Sequence, residues 1–363
     1  MLNYQDALYT DRVLPGERDC AARWDLIAPH VPQHGMILDV GSNLGYFGLR
    51  ATQNSESLGV VSIESDWTIA QRQRQLLAAH GVTRVCLING LVSSVVTGHW
   101  VEACDWFDVT LLLSVLHWFD DPAKVVRDLS RMSARLVAEV PDPLDAGACG
   151  QDKIQAWADP LKWFLDTTGR KCSLLGRVSR HTSAHPSHLI LVEGPVERRS
   201  SRAYWKSSFI HPLGNEYHMA YDGQNLKMAI RGQEIDYVPG VNLVSLTKLG
   251  RLVWPPPEHW LGCGTAAFRT SPRHLDPLPH NMLWTPHGVE LIDADDRKGD
   301  AQGRHALGMF KDTILAWWRN RTAQEAYVPQ LPPWRRPLRS CRRLIGAAYR
   351  MLLRGRDTRA TRG

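Results

Sequence analysis

Between residues 36 and 140 the chain repeats one unit, a short apolar run, a turn and an amphipathic stretch, about every 25 residues. The runs are Met36-Ile37-Leu38-Asp39-Val40, Val60-Val61-Ser62-Ile63-Glu64, Val85-Cys86-Leu87-Ile88, Val109-Thr110-Leu111-Leu112-Leu113 and Arg135-Leu136-Val137-Ala138-Glu139-Val140. Each has strand length and few polar residues, the pattern of a strand covered on both faces. Segments with helical spacing, such as Trp67–His80 and Pro122–Met132, lie between them, the second with Val125, Val126 and Leu129 on one face. Units of this kind close right-handed into a parallel sheet flanked by helices. The spacing predicts a doubly wound α/β domain, its sheet mostly parallel, over residues 1–195, entered through a helix over 12–30.

The character changes after Pro195. At 363 residues the chain has room for a second core, and 198–300 is richer in aromatic, Gly and Pro residues, which suggests an accessory domain over 196–327. Asp222-Gly223 stands between two alternating runs within 218–230, a hairpin signal. A second, smaller α+β domain is expected there, ending in a helix over Arg304–Arg319. The Pro-rich 328–334 then forms a hinge into a tail that holds ten arginines and one acid in residues 335–363, a net of +9. Because the whole chain carries +6, the remainder is at −3, which argues against a nucleic-acid-coating role. In the tail Leu338, Cys341, Leu344, Ile345, Ala348, Met351 and Leu352 make an apolar stripe framed by arginines, the pattern of a basic amphipathic helix that lies on an anionic membrane or docks on a partner, with a solvated basic end or an RNA-touching arm as the alternatives.

Seven scattered cysteines with no Cys-x-x-Cys pair predict a reduced, cytoplasmic setting without a zinc or redox motif, and no metal site is expected. The first residues show no basic-then-apolar signal pattern, and the longest apolar run is about half the ~20 residues of a membrane span.

The turn after the first run reads Asp39-Val40-Gly41-Ser42-Asn43-Leu44-Gly45, or Asp-x-Gly-x-x-x-Gly. Small residues there let a ligand approach the backbone at the carboxyl edge of the sheet, where doubly wound folds bind. A dinucleotide loop would place a glycine at Asn43, so NAD is disfavoured and a ligand without phosphate is favoured. The second run ends in Glu64, a carboxylate suited to a ribose diol. The third leads into Asn89-Gly90, an amide suited to an adenine edge, and the fourth into Ser114-Val115-Leu116-His117-Trp118.

These residues resemble the class I S-adenosylmethionine-dependent methyltransferases, over about residues 1–195. Tyr4-Gln5, Arg18-Asp19-Cys20, Leu175-Gly176 and Leu189-Ile190-Leu191-Val192 look like the methyltransferase half of the bifunctional kinase/methyltransferases that terminate O-antigen chains. The resemblance implies a Rossmann-like fold and S-adenosyl-L-methionine as cofactor, held by Tyr4, Arg18, Asp39, Gly41, Asn43, Gly45, Glu64, Asn89 and Ser114. It implies an oxygen acceptor, either a glycan hydroxyl or a terminal phosphate in surface polysaccharide synthesis.

Methyl transfer from a sulfonium releases a neutral thioether, so positioning does most of the work. For a hydroxyl acceptor His117, at the edge of the fourth strand, is the candidate base; a phosphate acceptor needs none. RNA and small metabolites stay open as acceptors, and so does a methyltransferase fold kept as a membrane or partner scaffold. Downstream, His274, Asp276, Asn281 and Asp293 follow the order of a kinase catalytic Asp and its metal ligands. No Gly-rich loop precedes them, and Lys227 lies only 49 residues before Asp276, so a degenerate kinase-like or substrate domain is the expectation.

Overall fold

The computed structural model describes residues 4–103, 105–142, 159–179, 185–200, 217–230, 233–235, 240–270, 282–291 and 301–319. After a short antiparallel pair, Ala7–Leu8 with Val13–Leu14, its strands are β1 (His34–Val40), β2 (Ser57–Glu64), β3 (Val85–Gly90), β4 (Phe107–Leu112), β5 (Ser133–Val140), β6 (Lys171–Val178) and β7 (Ser187–Glu193). Further along the chain come β8 (Val196–Ser200), β9 (Tyr217–Tyr221), β10 (Leu226–Ile230), β11 (Gln233–Ile235), β12 (Val241–Asn242), β13 (Gly250–Trp254), β14 (Met282–Thr285) and β15 (Gly288–Leu291). The helices are α1 (Cys20–Ile27), α2 (Tyr46–Asn54), α3 (Trp67–Ala79), α4 (Ser94–Glu102), α5 (Pro122–Arg131), α6 (Pro160–Thr168), α7 (Leu243–Thr247), α8 (Pro257–Thr270) and α9 (Ala301–Trp318).

Eight strands form the central sheet in the order β13-β3-β2-β1-β4-β5-β7-β6. The five strands from β1 to β5 are mutually parallel, whereas β7 runs against β5 and β6, and β13 runs against β3. The strand order reverses at β1, between β2 and β4, so the crevice of a doubly wound fold opens there. The sheet is apolar on both faces, with Leu38, Val61, Cys86, Leu112 and Leu136 in one core and Ile37, Val60, Leu87, Val109 and Val137 in another.

The predicted helix over 12–30 is corrected to α1, which begins at Cys20. Pro15-Gly16 breaks the chain: a Cβ on Gly16 would lie 2.8 Å from the Asp6 backbone nitrogen, and the Gly16 amide donates to Asp6 Oδ1 at 2.7 Å. Asp19 then caps the helix, accepting from the Ala22 amide at 2.9 Å. The hairpin expected within 218–230 is present as β9 and β10, its turn fastened by Asp222 Oδ1, which accepts from the Gln224 and Asn225 amides at 2.8 Å.

The described residues up to 319 form one compact unit. The first core also holds Val241, Leu243, Leu246, Leu252, Trp260, Trp284, Phe310 and Trp317, and β13 completes the sheet edge. The boundary that composition suggests at residue 195 is therefore crossed by both the core and the hydrogen-bonded ladder. Beside the central sheet, β8 to β11 form a four-stranded antiparallel sheet, and β12, β14 and β15 a three-stranded one. No helix among the described residues is long and apolar enough to cross a membrane. The arginine-rich tail lies outside the described residues.

Candidate functional site

The turn after β1 is shaped by backbone that only small or special residues accept. Gly41 (φ 71°), Asn43 (φ 52°) and Gly45 (φ 77°) all take positive φ, and Gly45 caps α2. The Gly41 and Ser42 amides both donate to Ile63 O, at 2.8 and 3.0 Å, which binds the turn to the end of β2. A Cβ on Gly41 would strike the Val115 side chain, and one on Gly45 would come within 2.8 Å of Gln73 Cδ. The two glycines thus bring the turn against the loop after β4 on one side and against α3 on the other.

Glu64, at the end of β2, is buried and accepts from the Asn43 amide at 2.9 Å and the Asp66 amide at 2.8 Å. Burial pushes its pKa up, opposed by those amides. Asn89 donates from Nδ2 to Glu64 O and Ser65 O, both at 2.9 Å. Its amide nitrogen therefore ties β3 to the strand beside it, where the sequence suggests an adenine contact.

Asp39 is enclosed beneath the first turn of α2, where a Cβ on Gly48 would lie 4.0 Å from Asp39 Oδ2. That oxygen has no hydrogen-bond partner among the described residues. Burial, and then the charge of Glu64, push its pKa from 3.8 up to about 7. Ser62 Oγ and Gln73 Nε2 are buried and likewise unpartnered among the described residues, although Ser42 Oγ donates to Gln73 Oε1 at 2.9 Å.

Across the crevice Arg18 is only 4% exposed. Its Nη2 donates to Ser114 Oγ, and to Glu139 Oε1 at 2.8 Å. Arg23 Nε donates to the other oxygen of Glu139 at 3.3 Å, and Arg23 Nη2 to Ser179 O at 2.6 Å. Burial works against the charge on Glu139, yet the two guanidiniums beside it hold its pKa below the usual range. Arg18 also stacks 5.2 Å from the Tyr4 ring centroid and donates its backbone amide to Tyr4 O at 3.0 Å. Ser114 adopts a positive φ of 62°, which turns the chain between β4 and the Val115 side chain that meets Gly41. Arg18 Nη1 is buried with no hydrogen-bond partner among the described residues, as is Gln5 Oε1.

The fold thus gathers Tyr4, Arg18 and Ser114 into one cluster and Asn43, Glu64 and Asn89 into a second, with Gly41 between them. His117 sits on a short 3-10 turn, Leu116–Trp118, partly buried, its ring centroid 5.0 Å from that of Trp118; Trp118 is 63% exposed. Glu139 and Gln73 belong to the site but were not singled out by sequence. Glu139 had a signal, an acid inside an otherwise apolar strand; Gln73 had none. His274, Asp276, Asn281 and Asp293 lie outside the described residues. Among the described residues no group of three or more His, Cys, Asp or Glu is placed to hold a metal.

No family model and no curated protein sequence matches the chain. Among solved structures the chain is similar to the bifunctional kinase-methyltransferase WbdD, with 16% identity and a TM-score of 0.43 over 77% of this chain and 76% of that one. It is also similar to the N-terminal domain of EvdMO1 in the presence of SAH and D-fucose, with 19% identity and a TM-score of 0.37 over 48% and 82%. A third likeness is to magnesium protoporphyrin IX methyltransferase (ChlM) from Synechocystis PCC 6803 with bound SAM, with 12% identity and a TM-score of 0.35 over 48% and 77%.

Proposed function

We propose that the chain is an S-adenosylmethionine-dependent methyltransferase acting on an oxygen acceptor. One observation carries this reading: a buried cation and a buried acid each hold an atom with no hydrogen-bond partner among the described residues, Arg18 Nη1 beside Ser114 after β4 and Asp39 Oδ2 near the end of β1. Burying such atoms without partners costs about 1–3 kcal/mol each, so the pair suits a ligand that bears both charges. The cofactor fits this donor set. Arg18 would take its carboxylate, Asp39 would balance its positive charge, and the Glu64 carboxylate would accept from the ribose hydroxyls.

When bound, the cofactor supplies an electrophilic methyl group on a sulfonium. The chain's own residues bind and orient. Gly41 and Gly45 leave room for close approach, while Glu139 and Ser114 hold the Arg18 guanidinium in place. His117 Nδ1 or Nε2 would take the proton from a hydroxyl acceptor during transfer. The exposed Trp118 indole beside it supports a sugar acceptor, because a pyranose presents C–H faces that lie against an aromatic ring. We assign the basic tail, on its sequence pattern, to the headgroup region of an anionic membrane, where a lipid-linked glycan would be met.

The test is isothermal titration of the full chain with S-adenosylmethionine and S-adenosylhomocysteine. Binding of both, lost in Gly41→Arg and weakened in Glu64→Ala, is the expected result. No heat at millimolar ligand would end this reading. Cofactor binding with no methyl transfer to glycan, RNA or metabolite pools would favour a scaffold instead.

A further inference from the structure

Strand β13 comes from the C-terminal half of the chain, yet it begins beside the carboxyl end of β3, at Asn89-Gly90. It pairs with β3 so that Gly250 faces Gly90 and Arg251 faces Asn89. Close pairing depends on both glycines: a Cβ on Gly90 would lie 2.7 Å from the Leu249 carbonyl carbon, and one on Gly250 would lie 2.8 Å from Gly90 Cα. The strand is pinned from behind by α9, where Trp317 Nε1 donates to Gly250 O at 2.7 Å and Arg251 Nε donates to Trp318 O at 3.0 Å.

Held in this way, the Arg251 guanidinium lies 4.3 Å from the ring centroid of Trp67. Trp67 opens α3 three residues after Glu64, and the intervening segment is fixed by Asn89, which holds Ser65 O, and by Glu64, which holds the Asp66 amide. Trp67 is 41% exposed, three positions along the chain from the carboxylate assigned to the ribose. Arg74, two turns along the same face of α3, lies 5.5 Å from the Trp318 ring centroid, a second cation contact that joins α3 to α9.

We infer that Arg251 is a positioning residue for the cofactor site, stacking on the Trp67 indole to hold it as the flat wall against which the aromatic base of the nucleoside rests. This rests on the methyltransferase reading. A guanidinium is planar and binds an indole face by both charge and dispersion, so it restricts the ring without covering its uncovered area. The consequence is that the N-terminal and C-terminal halves build one binding site.

The experiment is calorimetric titration of the full chain with S-adenosylhomocysteine, in wild type, Arg251→Met, Arg251→Lys, Trp67→Leu and the Arg251→Met/Trp67→Leu pair. Arg251→Met is expected to weaken binding about fivefold, with Arg251→Lys recovering part of the loss. Trp67→Leu is expected to weaken it about tenfold. Adding Arg251→Met to Trp67→Leu should then change nothing further, which a merely structural role of Arg251 would not produce. Equal affinity in wild type and Arg251→Met overturns the inference and leaves the methyltransferase reading standing. So does an Arg251→Met effect that persists in the Trp67→Leu background. A wild-type chain that binds no S-adenosylhomocysteine removes the functional reading itself, and Arg251's role with it. If Arg251→Met does not fold, Trp67→Leu decides, since its ring is at the surface: unchanged affinity there overturns the inference.

Discussion

Arg18 and Glu139 stand 121 positions apart in the chain and 2.8 Å apart in the fold, Nη2 donating to Oε1 in the interior. Arg23 reaches the second oxygen of the same carboxylate, so one acid at the end of β5 organises two guanidiniums from the N-terminal segment. Removing the acid leaves both cations buried. Glu139→Ala is expected to cost about 3–5 kcal/mol in urea unfolding, and Glu139→Gln less, because the amide oxygen still accepts. The lowered pKa of Glu139 means that its contribution is fully present at neutral pH and is lost as acid carries the pH down through that lowered value.

Asp39 behaves in the opposite sense. Its carboxyl titrates at about 7 in the fold against an ordinary 3.8, so between those values the folded chain keeps a proton that the unfolded chain has released. Stability from this group therefore falls as pH rises from about 4 to about 7. Asp39→Asn should raise stability by a few kcal/mol at pH 8 and change it little below pH 4, as read by chemical denaturation. It should also flatten a ligand difference. In wild type the affinity for cationic S-adenosylmethionine, relative to its neutral thioether product, rises between pH 6 and pH 8; in Asp39→Asn it does not.

Gly41 has a φ of 71° and faces the Val115 side chain. Gly41→Ala forces a Cβ into both, with a backbone strain of about 1–2 kcal/mol. A lower thermal midpoint together with a large loss of S-adenosylhomocysteine affinity is expected. A variant that keeps wild-type affinity would show that the turn does not approach the ligand.

His117 separates the two acceptor chemistries. With a hydroxyl acceptor, His117→Gln should lower turnover by roughly 10²- to 10⁴-fold while the calorimetric affinity for S-adenosylhomocysteine stays unchanged. With a phosphate acceptor, turnover should survive the substitution, since the nucleophile is already ionised.

The central strands were legible because a strand buried on both faces shows as a mostly apolar run of strand length, and β1 to β5 each do, with single polar residues such as Asp39, Ser62 and Glu139 inside them. Gly41, Gly45 and Glu64 were legible together because the turn and the strand end that binds it lie within one strand-helix-strand unit. What sequence missed is long-range. The pairing of Arg251 with Asn89 leaves no local trace, and composition at Pro195 suggests a boundary where the ladder and core continue. The start of α1 was misplaced because Val13–Leu14 is extended and pairs with Ala7–Leu8, a contact local spacing does not show, and Pro15-Gly16 then separates it from the helix. Glu139 was visible as a residue but not as a hub, since both its partners come from over a hundred positions earlier.

The antiparallel closure of β3 by β13 also sets an order of events on the ribosome. Synthesis runs at roughly 5–20 residues per second, and β13 emerges about 160 residues after β3. For roughly ten to thirty seconds the nascent chain displays a row of open amides and carbonyls, the kind of edge that invites wrong pairing. The two glycines decide whether the late strand can close that edge once it emerges, so substitutions at Gly90 or Gly250 should show first as poor yield of soluble protein from translation.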